Sequence, residues 1–361
     1  MTNAECRMTK ERIEILARDF DLEKTLDSGQ VFHWEKIDNR FVGTIGDVPV
    51  SLEQHGDLLR GRGGAFKHDG FNRSSFRRVI AQYFALDHPL TKICSSFPDD
   101  PAMKAAREFC RGLRIIRQPK WECLATFICS SMKQVAHIRQ ISLALRRRFG
   151  EPRTIMDVCS IQRAGGGSAA PRAMPIHSAS PTIFSIERRS ARSTNSDRVF
   201  TFPSAERIAA SSDKELRKCA LGYRAKNLLA TARLVASGDV DLEVLSMLPD
   251  GELRQVLCTL PGVGAKVANC VMLFAYERLR AFPIDVWIER VLREKYFPQA
   301  RRLNVKRLVA FTERYFGEHG GYAQQYLFHH ARKTGGRRAV GQRPTTARVS
   351  PARNDKCAGV R

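Results

Sequence analysis

Lys266 follows a glycine turn, Leu260-Pro261-Gly262-Val263-Gly264-Ala265, and Asp285 stands 19 residues further on, within Phe282-Pro283-Ile284-Asp285-Val286-Trp287. Pro261, Gly262 and Gly264 end one helix and start another, because glycine accepts the positive φ of a tight reversal. The stretch Ala265–Ala275 is apolar apart from Lys266 and Asn269 and reads as a helix in the middle of a domain. A lysine on its first turn loses water and faces the positive end of the helix dipole, and its free amine is a nucleophile. Asp285 reads as the N-cap of the next helix. A lysine and a carboxylate at the mouths of two consecutive helices could attack a sugar C1′ and stabilise the cationic sugar as a base departs. Taken singly, each residue has an ordinary structural explanation, a solvated first-turn lysine and a helix cap. The pair is more specific than either.

The same hairpin offers backbone N–H groups of Val263, Gly264 and Ala265 at a helix N-terminus, where Gly262 and Gly264 would let a DNA phosphate approach. It is neither a Walker A loop nor a dinucleotide fingerprint, since the spacing of the first and the third glycine of the second are missing.

With these residues in view, the chain resembles the 8-oxoguanine DNA glycosylases of the helix-hairpin-helix superfamily over residues 12–158 and 201–333. The resemblance rests on Ser28-Gly29-Gln30-Val31-Phe32-His33-Trp34, Phe127-Ile128-Cys129-Ser130-Ser131, Leu221-Gly222-Tyr223-Arg224-Ala225, the hairpin with Lys266 and Cys270, Asp285, and Tyr322-Ala323-Gln324 through Phe328. It implies that Lys266 displaces the damaged base, forms a Schiff base with the sugar and allows β-elimination to nick the strand, with Asp285 in the electrostatic role. It implies that the carbonyl of Gly29 accepts the N7–H present in 8-oxoguanine and absent in guanine, a contact that leaves a buried acceptor unpaired when the normal base enters. Phe127, Cys270, Gln324 and Phe328 join Gly29 in the base pocket. In the family an aromatic ring and the cysteine sandwich the flipped base while a glutamine reads its edge. Gln324 and Phe328, four apart on an expected helix, share one face, and Cys270 lies four after Lys266. Flipping is required because the reacting atoms are inaccessible inside a duplex.

The pattern departs from the eukaryotic members at three points. Met132 stands where they begin a run of asparagines that fills the gap left by the flipped base and contacts the orphaned cytosine. His137 replaces an arginine that reads that cytosine, and Trp287 replaces a histidine after the aspartate. Tyr223 and Arg224 match the wedge and the opposite-strand contact. Methionine fills a stack but reads no base edge, so the expected preference for cytosine opposite the lesion is weaker.

The net charge of +23 predicts a polyanionic partner, and damaged double-stranded DNA fits it best. About half of that charge lies in residues 161–200, with six arginines against Glu187 and Asp197, and in residues 331–361, with nine lysines and arginines against Asp355. Binding is expected to weaken steeply with salt. Ten cysteines without a C-x-x-C read as reduced thiols of an intracellular protein, and no four-cysteine cluster suggests an iron–sulfur relative. No signal peptide or membrane span is apparent. A monomer in a bacterial cytoplasm is expected, with the nucleus as the alternative for a eukaryote.

The expected fold is α+β and mostly α, an N-terminal antiparallel β-sheet domain followed by a helical helix-hairpin-helix core. The expected boundaries are 1–100 for the sheet domain, 101–159 for the first helical part, 160–200 for an irregular, disordered insertion, 201–333 for the helices carrying the hairpin, and 334–361 for a basic disordered tail. No redox cofactor is implied, no side-chain metal site is expected, and the resemblance adds a monovalent cation on the hairpin carbonyls. The competing readings are a glycosylase for another lesion, such as an alkylated base, and a catalytically silent helix-hairpin-helix DNA-binding protein.

Overall fold

The computed structural model describes residues 12–63, 73–131, 133–155 and 198–338. Strand β1 (Arg12–Leu16) leads into helix α1 (Leu22–Asp27), whose N-cap Asp21 accepts from the Lys24 N–H. Strands β2 (Glu35–Ile37), β3 (Arg40–Ile45), β4 (Val48–His55) and β5 (Leu58–Gly63) then form antiparallel hairpins. β1 returns to pair with β5, giving a five-stranded sheet in the order β1-β5-β4-β3-β2. The period of two puts Ile13, Ile15, Val50, Leu52 and Leu59 inside, against Phe76 and Ile80 of α2 (Arg73–Tyr83) and the adjoining Phe84.

Helices α3 (Leu90–Ser95) and α4 (Pro101–Phe109) follow, then α5 (Lys120–Ser130), buried at every position from Glu122 to Ser130. Such all-round burial marks a helix at the centre of a domain. After α6 (Val135–Phe149), strand β6 (Pro152–Thr154) pairs with β7 (Arg198–Phe200). Residues 198–200 therefore leave the irregular insertion expected over 160–200 and form a strand. The physical reason is a long-range anchor that no local pattern displays: the Arg146 guanidinium donates to the Phe200 carbonyl and to Thr44 Oγ1. The rest of that insertion lies outside the described residues.

The remaining helices are α7 (Ala205–Ala209), α8 (Asp213–Arg217), α9 (Arg224–Ala236), α10 (Asp250–Thr259), α11 (Ala265–Ala275), α12 (Val286–Val291), α13 (Val305–Tyr315) and α14 (Gly320–Arg338). The last runs five residues past the boundary set at 333. Thr334 Oγ1 bonds the His330 carbonyl and Gly335 lies against the Trp287 ring, so packing carries the helix through two glycines. The tail from 339 onward lies outside the described residues. No described helix is long and apolar enough to cross a membrane.

One buried cluster unites α3–α14, with α11 packed on both α5 and α10. The sheet unit is tied to it by hydrogen bonds. Arg114 donates to the carbonyls of Ala85 and His88, and the Gln118 N–H donates to the Phe274 carbonyl at 2.7 Å.

Candidate active site

The hairpin forms where expected. α10 ends at Thr259, Leu260 is extended, and Gly264 caps α11. Gly262 alone needs to be glycine for backbone reasons: its φ is +83°, and a Cβ there would lie 2.8 Å from Cβ of Asn227. Gly264 is extended, and a Cβ there would meet no protein atom within 4 Å, so its use is the open approach it leaves to the helix N-terminus. The Val263 N–H does not point outward as expected. It donates to the Leu260 carbonyl at 3.0 Å, because the reversal is closed by its own hydrogen bond, and Val263 is buried. The free donors of the clamp begin at Gly264 and Ala265.

Lys266, on the first turn of α11, is half-buried and reaches α5. Its Nζ lies 3.4 Å from Ser130 Oγ and 5.1 Å from the centroid of the Phe127 ring. Phe127 in turn stacks on Phe274 and meets Phe32 edge-on. It is 3% exposed and lies beneath the amine. Cys270 lies one turn along; burial pushes its thiol up against the opposing Lys266 charge.

Asp285 caps α12 as expected, accepting from the Ile288 N–H at 2.9 Å. Burial raises its carboxyl above the usual 3.8, and the Ile288 N–H and the Lys266 charge resist that rise. The Lys266 charge thus favours the ionised carboxylate, against its burial.

A second group of residues surrounds the turn after α1. Ser28 Oγ bonds the Thr25 carbonyl, and Gly29 turns the chain at φ +87°. The buried Gln30 side chain donates to the Arg114 carbonyl at 2.8 Å and accepts the Ile116 N–H at 2.7 Å. The Gln118 side chain holds the Gln30 carbonyl, and Gln325 of α14 holds that of Ser28 at 2.9 Å. Among the described residues no protein donor reaches the carbonyl of Gly29, while both neighbouring carbonyls are bonded. The Phe328 ring lies against Gly29, with Val135 beside it. One turn earlier on α14, Gln324 is 4% exposed, and its Oε1 has no hydrogen-bond partner among the described residues. A buried acceptor left unpaired in this way is costly unless a ligand supplies a donor.

The residues assigned to the DNA surface divide. Tyr223, 56% exposed, and His137, on the first turn of α6, lie at the surface. Met132 lies outside the described residues. Arg224, expected to contact the opposite strand, is only 5% exposed. Its Nε and Nη2 both donate to the Ser131 carbonyl, the former at 2.7 Å, and the guanidinium packs 4.4 Å from the Tyr223 ring centroid. Trp287 faces Gly335 of α14 and carries Arg290 over its ring. Sequence reasoning missed Ser130 as the partner of Lys266, and missed the bracing by Gln30, Arg114 and Gln325. The two glutamines adjoin assigned residues and were within reach, whereas Arg114 gives no local signal.

A family profile described as the N-terminal domain of 8-oxoguanine DNA glycosylase matches residues 12–124. A probable N-glycosylase/DNA lyase of Methanothermobacter thermautotrophicus is 27% identical over 324 residues, which cover 88% of this chain and 95% of that protein. An N-glycosylase/DNA lyase of Arabidopsis thaliana is 28% identical over 88% of this chain and 78% of its own length. Among solved structures, the 8-oxoguanine glycosylase/lyase of Clostridium acetobutylicum, bound to duplex DNA with cytosine opposite 8-oxoguanine, superposes with a TM-score of 0.70. It is 25% identical, with 88% of this chain and 93% of that one covered. The hairpin with its lysine, the capping aspartate, the braced glycine turn and these likenesses agree: over residues 12–124 the chain carries the N-terminal domain of the 8-oxoguanine DNA glycosylases, and along most of its length it is similar to N-glycosylase/DNA lyases.

Proposed function

We propose that this protein excises 8-oxoguanine from duplex DNA and then nicks the strand, as a bifunctional glycosylase and abasic-site lyase of base excision repair. The observation that carries the reading is the placement of Lys266 on the first turn of α11 and of Asp285 as the N-cap of α12, with the amine held between Ser130 and Phe127.

In this mechanism the flipped base enters between Phe328 and Cys270. The Gly29 carbonyl accepts its N7–H, and Gln324 pairs with its edge. As the bond from C1′ to the base breaks, its electron pair leaves with the base, and Asp285 stabilises the positive charge growing on the sugar. The lone pair of Lys266 Nζ forms the new bond to C1′. One N–H proton neutralises the released base, and the second goes to O4′ as the C1′–O4′ bond breaks and the sugar opens to a Schiff base. Removal of a C2′ proton expels the 3′ phosphate oxygen and breaks the strand. The Gly264 and Ala265 N–H groups bind a phosphate of the lesion strand at the α11 N-terminus.

A monovalent cation on the hairpin carbonyls belongs to this proposal as a structural element. The Leu260 carbonyl accepts from Val263, and that of Pro261 accepts from Thr231 Oγ1 at 3.0 Å, so each keeps one lone pair. Neutral oxygens of this kind suit a monovalent ion, and no step of the reaction passes through it. The enzyme acts as a monomer wherever genomic DNA is held, the cytoplasm of a bacterium or the nucleus of a eukaryote.

Borohydride trapping on a duplex with one 8-oxoguanine tests the reading. A covalent complex with the parent and none with Lys266→Gln supports it. A folded parent that binds the duplex and is never trapped overturns it in favour of a DNA-binding protein or a glycosylase without the amine step.

A further inference from the structure

The last turn of α5 contains a group that the mechanism above does not use. Ser130 is 5% exposed and holds its hydroxyl hydrogen on the Phe127 carbonyl at 2.8 Å, an i to i−3 bond within α5. With that hydrogen committed, the oxygen can only accept from Lys266, whose Nζ lies 3.4 Å away. The serine itself is fixed: its carbonyl accepts the Lys133 N–H at 3.1 Å, and the next carbonyl, of Ser131, is gripped by Arg224.

We propose that Ser130 is a positioning residue for the nucleophile, an obligate acceptor that holds one N–H of Lys266 against α5 and so turns the amine's lone pair toward the sugar. The inference rests on the reading of Lys266 as the nucleophile. An ammonium has three donors and a neutral amine two, so one N–H remains available to Ser130 before and after the proton leaves. The Phe127 ring attracts the charged form only, so it grips the lysine less firmly once the amine is free. Ser130 is then the contact that survives deprotonation and narrows the torsions open to the attacking nitrogen, and such orientation is a large part of what an enzyme contributes to attack.

The experiment uses a duplex carrying a preformed abasic site, which removes base recognition by Gly29, Gln324 and Phe328 from the measurement. Parent, Ser130→Ala, Ser130→Thr and Lys266→Gln proteins are compared for single-turnover borohydride trapping, for affinity to the same duplex and for Tm. Loss of one hydrogen bond to the nucleophile predicts trapping about tenfold slower in Ser130→Ala, with affinity and Tm unchanged. Ser130→Thr keeps the hydroxyl and is expected to return within about threefold of the parent. Trapping by Ser130→Ala at the parent's rate overturns the inference. So does a fall in rate matched by a fall in affinity or Tm, or a threonine variant as slow as alanine. A parent that traps no faster than Lys266→Gln overturns the nucleophile assignment and this inference with it.

Discussion

Position 29 and the ring of Phe328 are so close that a Cβ on Gly29 would lie 3.0 Å from Cε1 of that ring. The turn is braced on both sides by buried glutamines and cannot retreat, and φ at 29 is +87°. Gly29→Ala is therefore strained by about 1 kcal/mol in the backbone alone, and it also moves the ring expected to stack on the base. Excision of 8-oxoguanine should fall by at least about tenfold, a loss of about 1.4 kcal/mol of transition-state stabilisation. Trapping on a preformed abasic site should remain close to that of the parent. Equal losses on both substrates would place Gly29 in the fold rather than in recognition.

Asp285 both caps α12 and is favoured in its charged form by Lys266, and an asparagine separates these roles. Asparagine caps a helix as well as aspartate, so the Ile288 N–H keeps a partner. Asp285→Asn should lower excision by about 10²–10³, the usual cost of removing a group that stabilises transition-state charge. Its Tm at pH 7 should match or exceed the parent's. The folded carboxyl titrates above its ordinary value because of burial, so keeping it ionised at neutral pH costs folding free energy that the neutral amide does not. For the same reason, parent activity should decline with acidification earlier than an ordinary carboxylate would allow. A variant that loses stability along with activity would make the cap the main role.

The hairpin, the capping aspartate and the pairing of Gln324 with Phe328 were legible because each is local. A glycine turn, an N-cap and an i to i+4 spacing are written in neighbouring residues. Ser130, Arg114 and β7 were not, because each depends on a contact more than 50 residues away: Ser130 to Lys266, Arg114 to Thr25 through its backbone N–H, and Phe200 to Arg146. Val263 was misjudged for a subtler reason. The N–H groups of a reversal are free only where the turn leaves them free, and this turn closes on itself through Leu260. Trp287 gave only a clue of kind, since its side followed from how α12 packs on α14.

Two buried histidines set an acid limit. Burial, and then Arg146, hold His33 well below its ordinary 6.5; burial brings His329 down to about 4. The unfolded chain binds protons at both from about pH 6.5 downward, whereas the folded chain does not. Stability is therefore full above about pH 6.5 and is lost as pH falls toward 4. At pH 5 the loss is about 2 kcal/mol for a group shifted as far as His329. Urea unfolding of the parent at pH 7.5 and pH 5 should show this decline, and His329→Gln should shrink the difference. A parent equally stable at both values would contradict the burial of these rings.

Selectivity for the base opposite the lesion should be shallow. A bidentate side chain reading one base edge is worth about 1–3 kcal/mol. Met132 has no donor to offer, and the two Arg224 donors on the Ser131 carbonyl are engaged in a site only 5% exposed. Freeing them would release a carbonyl at the turn beside Lys266's partner Ser130, so reading a base with Arg224 would loosen the element that holds the nucleophile. His137, exposed on the first turn of α6, is the remaining polar side chain among those assigned to this role. Single-turnover excision opposite cytosine, adenine, guanine and thymine should thus agree within about tenfold, the equivalent of about 1.4 kcal/mol. Arg224→Ala should slow all four reactions together, because it releases the Ser131 turn, whereas His137→Ala should compress whatever spread remains. A cytosine preference of about a hundredfold that disappears in Arg224→Ala would mean that the arginine leaves Ser131 when DNA binds and reads the opposite base after all.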